Sequence, residues 1–130
     1  MKPLVTKTIF IAFGCMLCAF TVQAQKIKVT ALKPAEFKSL IEKTMHPCIV
    51  DIRDAGDFEA GHIEGAINVD ALSLSFIREM QNRCAVSDTI LVYCKLGRTS
   101  KSVAELMVKR GFLHIYHLKG GLLAWNKQNP

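Results

Sequence analysis

Cys94 is the residue with the clearest chemical potential. It closes the apolar run Thr89-Ile-Leu-Val-Tyr93 and is followed by Lys95-Leu96-Gly97-Arg98-Thr99-Ser100. A thiol becomes a nucleophile when its thiolate is favoured. Lys95 and Arg98 place positive charge beside it. Gly97 permits the backbone angles that a tight loop needs. If a helix starts near Ser100, its free N–H groups add the positive end of the helix dipole. Together these features describe an anion cradle around a cysteine. The same residues also fit a core thiol at a strand end followed by an ordinary strand-to-helix loop. Loop chemistry alone leaves both readings open.

The surrounding elements must put that loop at a sheet edge. Residues 26–32, KIKVTAL, read as a short strand. PAEFKSLIEKT follows as a helix opened by Pro34, with Phe37, Leu40 and Ile41 on one face. CIVDIR is a second strand. DAGDFEAGHIEG is broken by glycines and reads as a loop with one helical turn. AINV is a third strand. ALSLSFIREMQNRC has Leu72, Phe76, Ile77 and Met80 at helical spacing. TILVYC has the continuous apolar character of a strand buried on both faces. SKSVAELMVKRG reads as a helix with Val103, Leu106 and Met107 inward and Gly111 as its stop. FLHIYHL is a last strand, and KGGLLAWNKQ a glycine turn with a closing helix. Strands alternating with helices predict an α/β fold, a mostly parallel five-stranded sheet with helices on both faces. In such sheets ligands bind beyond the carboxyl ends of the strands, where Cys94 stands.

The 130 residues allow one domain, and half of them are hydrophobic. The formal net charge is +6, with the basic residues scattered rather than clustered. That distribution argues against nucleic acid and suits small anions. Residues 1–24 carry Lys2 and Lys7, the apolar run Ile9–Phe20, and Val22-Gln23-Ala24. This is the layout of a secretory signal peptide, and the run is short for a membrane span. An uncleaved anchor is the competing reading. Removal of 1–24 takes two lysines and no acid, so the +6 falls to +4. The expected domains are therefore a signal peptide over 1–24 and one globular domain over 25–130, periplasmic or secreted, with no stable membrane insertion after cleavage. The mature part keeps Cys48, Cys84 and Cys94. Three cysteines in an oxidising compartment leave at least one thiol free, which suggests a task for it.

Three stretches together resemble the rhodanese, or thiosulfate sulfurtransferase-like, family. CKLGRTS resembles its active-site loop. VDIRDAGDFEAGHIEGAINV resembles its N-terminal signature and LKGGLLAW its C-terminal one. In order and spacing they span most of residues 27–127. The resemblance implies that Cys94 is a nucleophile that takes a sulfane sulfur from thiosulfate or a persulfide. An acceptor such as cyanide, sulfite or a thiol, including a protein thiol, then removes that sulfur. Backbone amides from Lys95 through Leu96, Gly97 and Arg98 to Thr99 would cradle the sulfur, and Lys95 and Arg98 would attract anionic donors. Thr99 stands where many members carry Arg, so donor preference is the property it would alter. A related phosphatase group places Arg directly after five residues that follow the cysteine, a position held here by Ser100; the register favours sulfur over phosphate.

The resemblance gives Asp51 and Arg53 scaffold roles, Arg53 pairing with an acid and Asp51 bonding loop backbone. The alternative for them is a surface ion pair of little value. It also gives His62 a structural hydrogen bond within its loop, since a preformed thiolate needs no base. His46, His114 and His117 lack ligand spacing with the cysteines, so no metal is expected, and no organic cofactor is implied. Trp125 is expected in the core. Cys48 and Cys84 each precede a strand at the end of the sheet away from Cys94, and would meet as a disulfide if those strands are neighbours. The functional alternative to a sulfurtransferase is a persulfide carrier, or a binding or sensor module on the same fold.

Overall fold

The computed structural model describes residues 28–130. The signal peptide expected over 1–24 lies outside these residues. Five strands run in the order β1 (Thr30–Leu32), β2 (Cys48–Asp51), β3 (Ile67–Asn68), β4 (Thr89–Tyr93) and β5 (His114–Leu118). In space they lie β1-β5-β4-β2-β3, and every pair is parallel. The central strand is β4, the apolar run that leads to Cys94. Its Ile90, Leu91, Val92 and Tyr93 are fully buried because both faces of the sheet are covered.

Each face has its own core. Val50, Ile90, Val92 and Ile115 meet Phe76, Met80, Val103 and Met107 from α3 (Phe76–Arg83) and α4 (Arg98–Lys109). On the other side Ile49, Leu91, Tyr93 and Leu118 meet Phe37 of α1 (Pro34–Lys43) and Leu122 of α5 (Gly121–Gln128). Trp125 packs there edge-on to Phe37, with ring centroids 6.0 Å apart. A short helix, α2 (Ala55–Ala60), fills the glycine-broken stretch. Its N-cap is Asp54, whose side chain accepts from the Asp57 N–H at 2.8 Å.

Two expectations about helix faces need correction. The helical spacing from Leu72 onward does not begin a helix, because α3 starts only at Phe76. Asp70 accepts a bond from the Leu72 N–H at 2.8 Å, and Ser73 O accepts from the Phe76 N–H at 3.1 Å. Such local turns compete with helix for the same backbone groups. Leu72 consequently points outward and is 89% exposed. In α4 the buried stripe is Val103, Ala104 and Met107, while Leu106 lies on its margin.

Cys48, at the start of β2, is disulfide-bonded to Cys84, the residue that ends α3. The bridge lies at the amino ends of the strands, the end of the sheet opposite Cys94. It closes a separation of 36 residues, so in the chain-entropy picture it stabilises the fold by about 3–4 kcal/mol. The double variant Cys48→Ala/Cys84→Ala is expected to lose about that much in a denaturant titration. An unchanged midpoint would show that the bridge contributes nothing to stability.

Candidate active site

Cys94 is the first residue beyond β4, and the chain turns at once into α4. Gly97, with φ +90°, makes that turn in the left-handed region. The Cys94 Sγ then lies at the amino end of α4, where first-turn N–H groups have no partner within the helix. It accepts from the Gly97 N–H at 3.1 Å and the Ser100 N–H at 3.4 Å. As a thiol it donates to the Ser100 Oγ at 3.5 Å, and that hydroxyl donates to Gly97 O at 3.3 Å. When the thiol loses its proton, rotation of the Ser100 hydroxyl turns it into a third donor to sulfur.

These contacts decide the thiol's acidity. Burial pushes the pKa up, since Cys94 is 7% exposed. The Ser100 hydroxyl, the Ser100 and Gly97 N–H groups and the Leu96 N–H pull it down, and they win. The thiolate is therefore held below the ordinary cysteine range. Ser100→Ala removes one of those donors. Its iodoacetamide reaction should then need a higher pH, and at neutral pH the rate should fall by about tenfold, because less thiolate is present. An unshifted rate–pH profile would show that the hydroxyl does not act on the sulfur.

The loop is held from behind by α5. The Leu122 N–H donates to Cys94 O at 2.9 Å and the Leu123 N–H to Lys95 O at 3.2 Å. The free first-turn donors of α5 thus draw these carbonyls away from the sulfur. The approach requires the glycine pair. A Cβ on Gly121 would lie 2.4 Å from the carbonyl carbon and oxygen of Lys95, and one on Gly97 would lie 2.9 Å from Gly120 N.

Asp51 and Arg53 sit one strand over. Asp51 is fully buried, so this is not a surface ion pair. Arg53 Nη2 donates to its Oδ2 at 2.7 Å, and Arg53 Nε and backbone N–H both donate to its Oδ1 at 3.0 Å. Arg53 Nη2 also reaches Gly61 O at 2.7 Å. The Asn68 side chain donates to Asp51 O and Arg53 O, which pins the ends of β2 and β3 together. His62 is local too: its Nδ1 lies 2.8 Å from Phe58 O and its ring stacks on Phe58.

A pocket of about 340 Å³ opens above Cys94. Lys95, Leu96, Arg98 and Thr99 line it together with Arg53, all of them expected at the site. Gly97 lies beneath as the turn, and Asp51 beneath Arg53. The opposite wall holds Asp54, Asp57, Asp70 and Leu72. Among the amides from Lys95 to Thr99, that of Gly97 bonds Sγ and that of Leu96 acts on it more weakly, while the other bonded amide is Ser100, one residue past that span. Sequence reasoning used Ser100 as a register mark and as the start of a helix, which in fact begins at Arg98, and Gly120-Gly121 only as a turn. The signal for both was present in the Ser at the first turn of a helix after the cysteine, and in the double glycine ahead of the last helix. Among the described residues no cluster of three His, Cys, Asp or Glu could hold a metal ion.

The arrangement is a buried, acidified thiol inside a ring of donors, open to a mouth where exposed Lys95 and Arg98 face Asp54, Asp57 and Asp70. The family model described as Rhodanese-like domain matches residues 33–128. The chain belongs to the rhodanese-like family. The Bacillus subtilis protein YqhL is 32% identical over 125 residues, which cover 96% of this chain and 94% of that protein. The rhodanese-like chain is also 35% identical over 82 residues to the thiosulfate sulfurtransferase GlpE of Coxiella burnetii, covering 63% of this chain and 74% of the relative. Among solved structures, the Anabaena Alr3790 protein superposes with TM-score 0.67 at 28% identity, covering 75% of this chain and 86% of that one.

Proposed function

We propose that this rhodanese-like protein is a sulfurtransferase that works through a persulfide on Cys94. The observation that supports this reading best is the set of donors converging on Sγ, which holds the thiol below its ordinary pKa despite burial. The kinship with GlpE thiosulfate sulfurtransferases points the same way.

The reaction balances in two displacements. The Cys94 thiolate attacks the outer sulfur of thiosulfate. The bond from that sulfur to the sulfite group breaks, and sulfite leaves with the electron pair. The negative charge of the resulting persulfide rests on its terminal sulfur, within the ring of N–H donors. Cyanide or a thiolate then attacks the terminal sulfur, the S–S bond breaks, and its electron pair returns to Cys94 as thiolate. Lys95 and Arg98 stand exposed on one wall of the mouth, where they would hold the dianionic donor on the side away from Asp54, Asp57 and Asp70. Thr99 stands beside them with a hydroxyl and no charge, so donor selection rests on those two side chains.

The proposal extends to location. A cleaved signal over 1–24 would deliver the domain to the periplasm or outside, where the Cys48–Cys84 bridge persists and Cys94 is the free cysteine of the described residues. The test is direct. Incubation with thiosulfate should add the mass of one sulfur atom to the peptide holding Cys94, and cyanide should remove it while thiocyanate appears. No mass gain with thiosulfate or with a glutathione persulfide would overturn the proposal.

A further inference from the structure

The sheet has five strands, but among the described residues only α3 and α4 cover the face that holds Ile90, Val92 and Ile115. Parallel sheets bury both faces, so an edge strand beyond the last helix leaves a gap. Here the edge strand is β1, paired to β5 through Ala31 and His117. Between β1 and α4 lies an open groove of about 880 Å³. It shares no lining residue with the mouth above Cys94.

The groove has two kinds of wall. Val29, Ala31 and Val108 give it apolar sides. His117, 6% exposed, lines its floor, and the His117 Nδ1 is buried with no hydrogen-bond partner. It is the one buried side-chain nitrogen or oxygen left unpaired among the described residues. Buried polar atoms are nearly always paired, so an orphan of this kind marks a place where a partner is missing. Lys28, Lys101 and Lys109 stand around the rim with Glu105 as the single acid, an excess of two positive charges.

We infer that this groove binds a small amphiphilic carboxylate, its apolar body against Val29, Ala31 and Val108 and its anionic head between His117 and the rim lysines. Charge complementarity selects the anion, the uncovered strand accepts the chain, and the volume is that of a small-molecule site. Burial, helped by Lys101, holds the imidazole below its ordinary pKa, so near neutral pH the ring is uncharged and can donate one N–H to the carboxylate.

Octanoate is a suitable probe, titrated into the full chain while the histidine ring signals are followed by NMR. Octylammonium and acetate serve as controls for charge and for chain. Octanoate should shift the His117 ring in a saturable way, with Kd on the order of 1 mM or tighter. Octylammonium and acetate should bind at least about tenfold more weakly. His117→Phe should weaken octanoate by about tenfold. Lys28→Glu/Lys109→Glu, at two exposed positions far from the Cys94 loop, should do the same while thiosulfate turnover stays unchanged. Equal binding of octylammonium, no saturation by octanoate, or undiminished binding by the double lysine variant would each overturn the inference.

Discussion

Cys94→Ser should lower thiosulfate:cyanide turnover by at least about 10⁴-fold, to the level of a blank, while the fold persists. The substitution changes one atom. A serine hydroxyl fits the cradle and can accept the same N–H bonds from Gly97 and Ser100. Melting and denaturant midpoints should therefore stay close to wild type. What is lost is the nucleophile. A hydroxyl so far from ionisation cannot be brought to its anion by two or three hydrogen bonds, and oxygen does not form a stable bond to a sulfane sulfur under these conditions. Stopped turnover in a folded protein separates the persulfide reading from a binding or sensor module. Persistent turnover would move the chemistry to another residue.

Gly121→Ala should have the next largest effect, through geometry alone. Gly121 has φ +63° and lies outside the lining of the pocket above Cys94. A methyl there would collide with the Lys95 carbonyl group at 2.4 Å and lie 2.6 Å from Cys94 O. Both neighbours are backbone, so no side chain can rotate away. Either α5 retreats and releases the carbonyls of Cys94 and Lys95, or the loop shifts and carries the Gly97 N–H away from sulfur. The left-handed conformation adds its own cost for alanine, and the sum is about 2–4 kcal/mol of stability. Displacement of a catalytic loop by about 1 Å commonly costs about a hundredfold in rate. Turnover and thiol reactivity should fall together, and iodoacetamide alkylation should require higher pH. A variant with normal alkylation and normal turnover would mean that α5 does not hold the loop. Comparison with Leu123→Ala, exposed on the same helix, controls for general loosening of α5.

Local sequence was informative where one residue type answers one local demand. The apolar run from Thr89 to Tyr93 identifies β4 because only a doubly covered strand tolerates such continuity. Pro34 opens α1, since its missing N–H costs nothing in a first turn. Cys94, Gly97 and the basic residues beside them mark the loop. Leu72 misled because periodicity reports an apolar face without naming what it faces. A turn held by Asp70 and Ser73 stops the helix short, and Leu72 is left on the mouth of the pocket.

The tertiary structure decided whatever depends on atoms far apart in the chain. Buried Asp51 becomes the ion-pair anchor of Arg53 only because β2 lies between β3 and β4. Cys48 meets Cys84 only because α3 packs back onto the start of β2. The thiol's acidity rests on Ser100, Gly97 and Leu96 in a loop that the Leu122 and Leu123 N–H groups hold from almost thirty residues on in the chain, and a sum of short-range hydrogen bonds cannot be read from spacing. Sequence alone determined the family and the alternation of strands and helices, and it singled out Cys94 as the candidate nucleophile, because those follow from residue type and local order. Packing alone determined which donors reach the sulfur, and left His117 unpaired beneath an uncovered edge strand, because hydrogen bonds and burial are settled by distances that the linear chain does not contain.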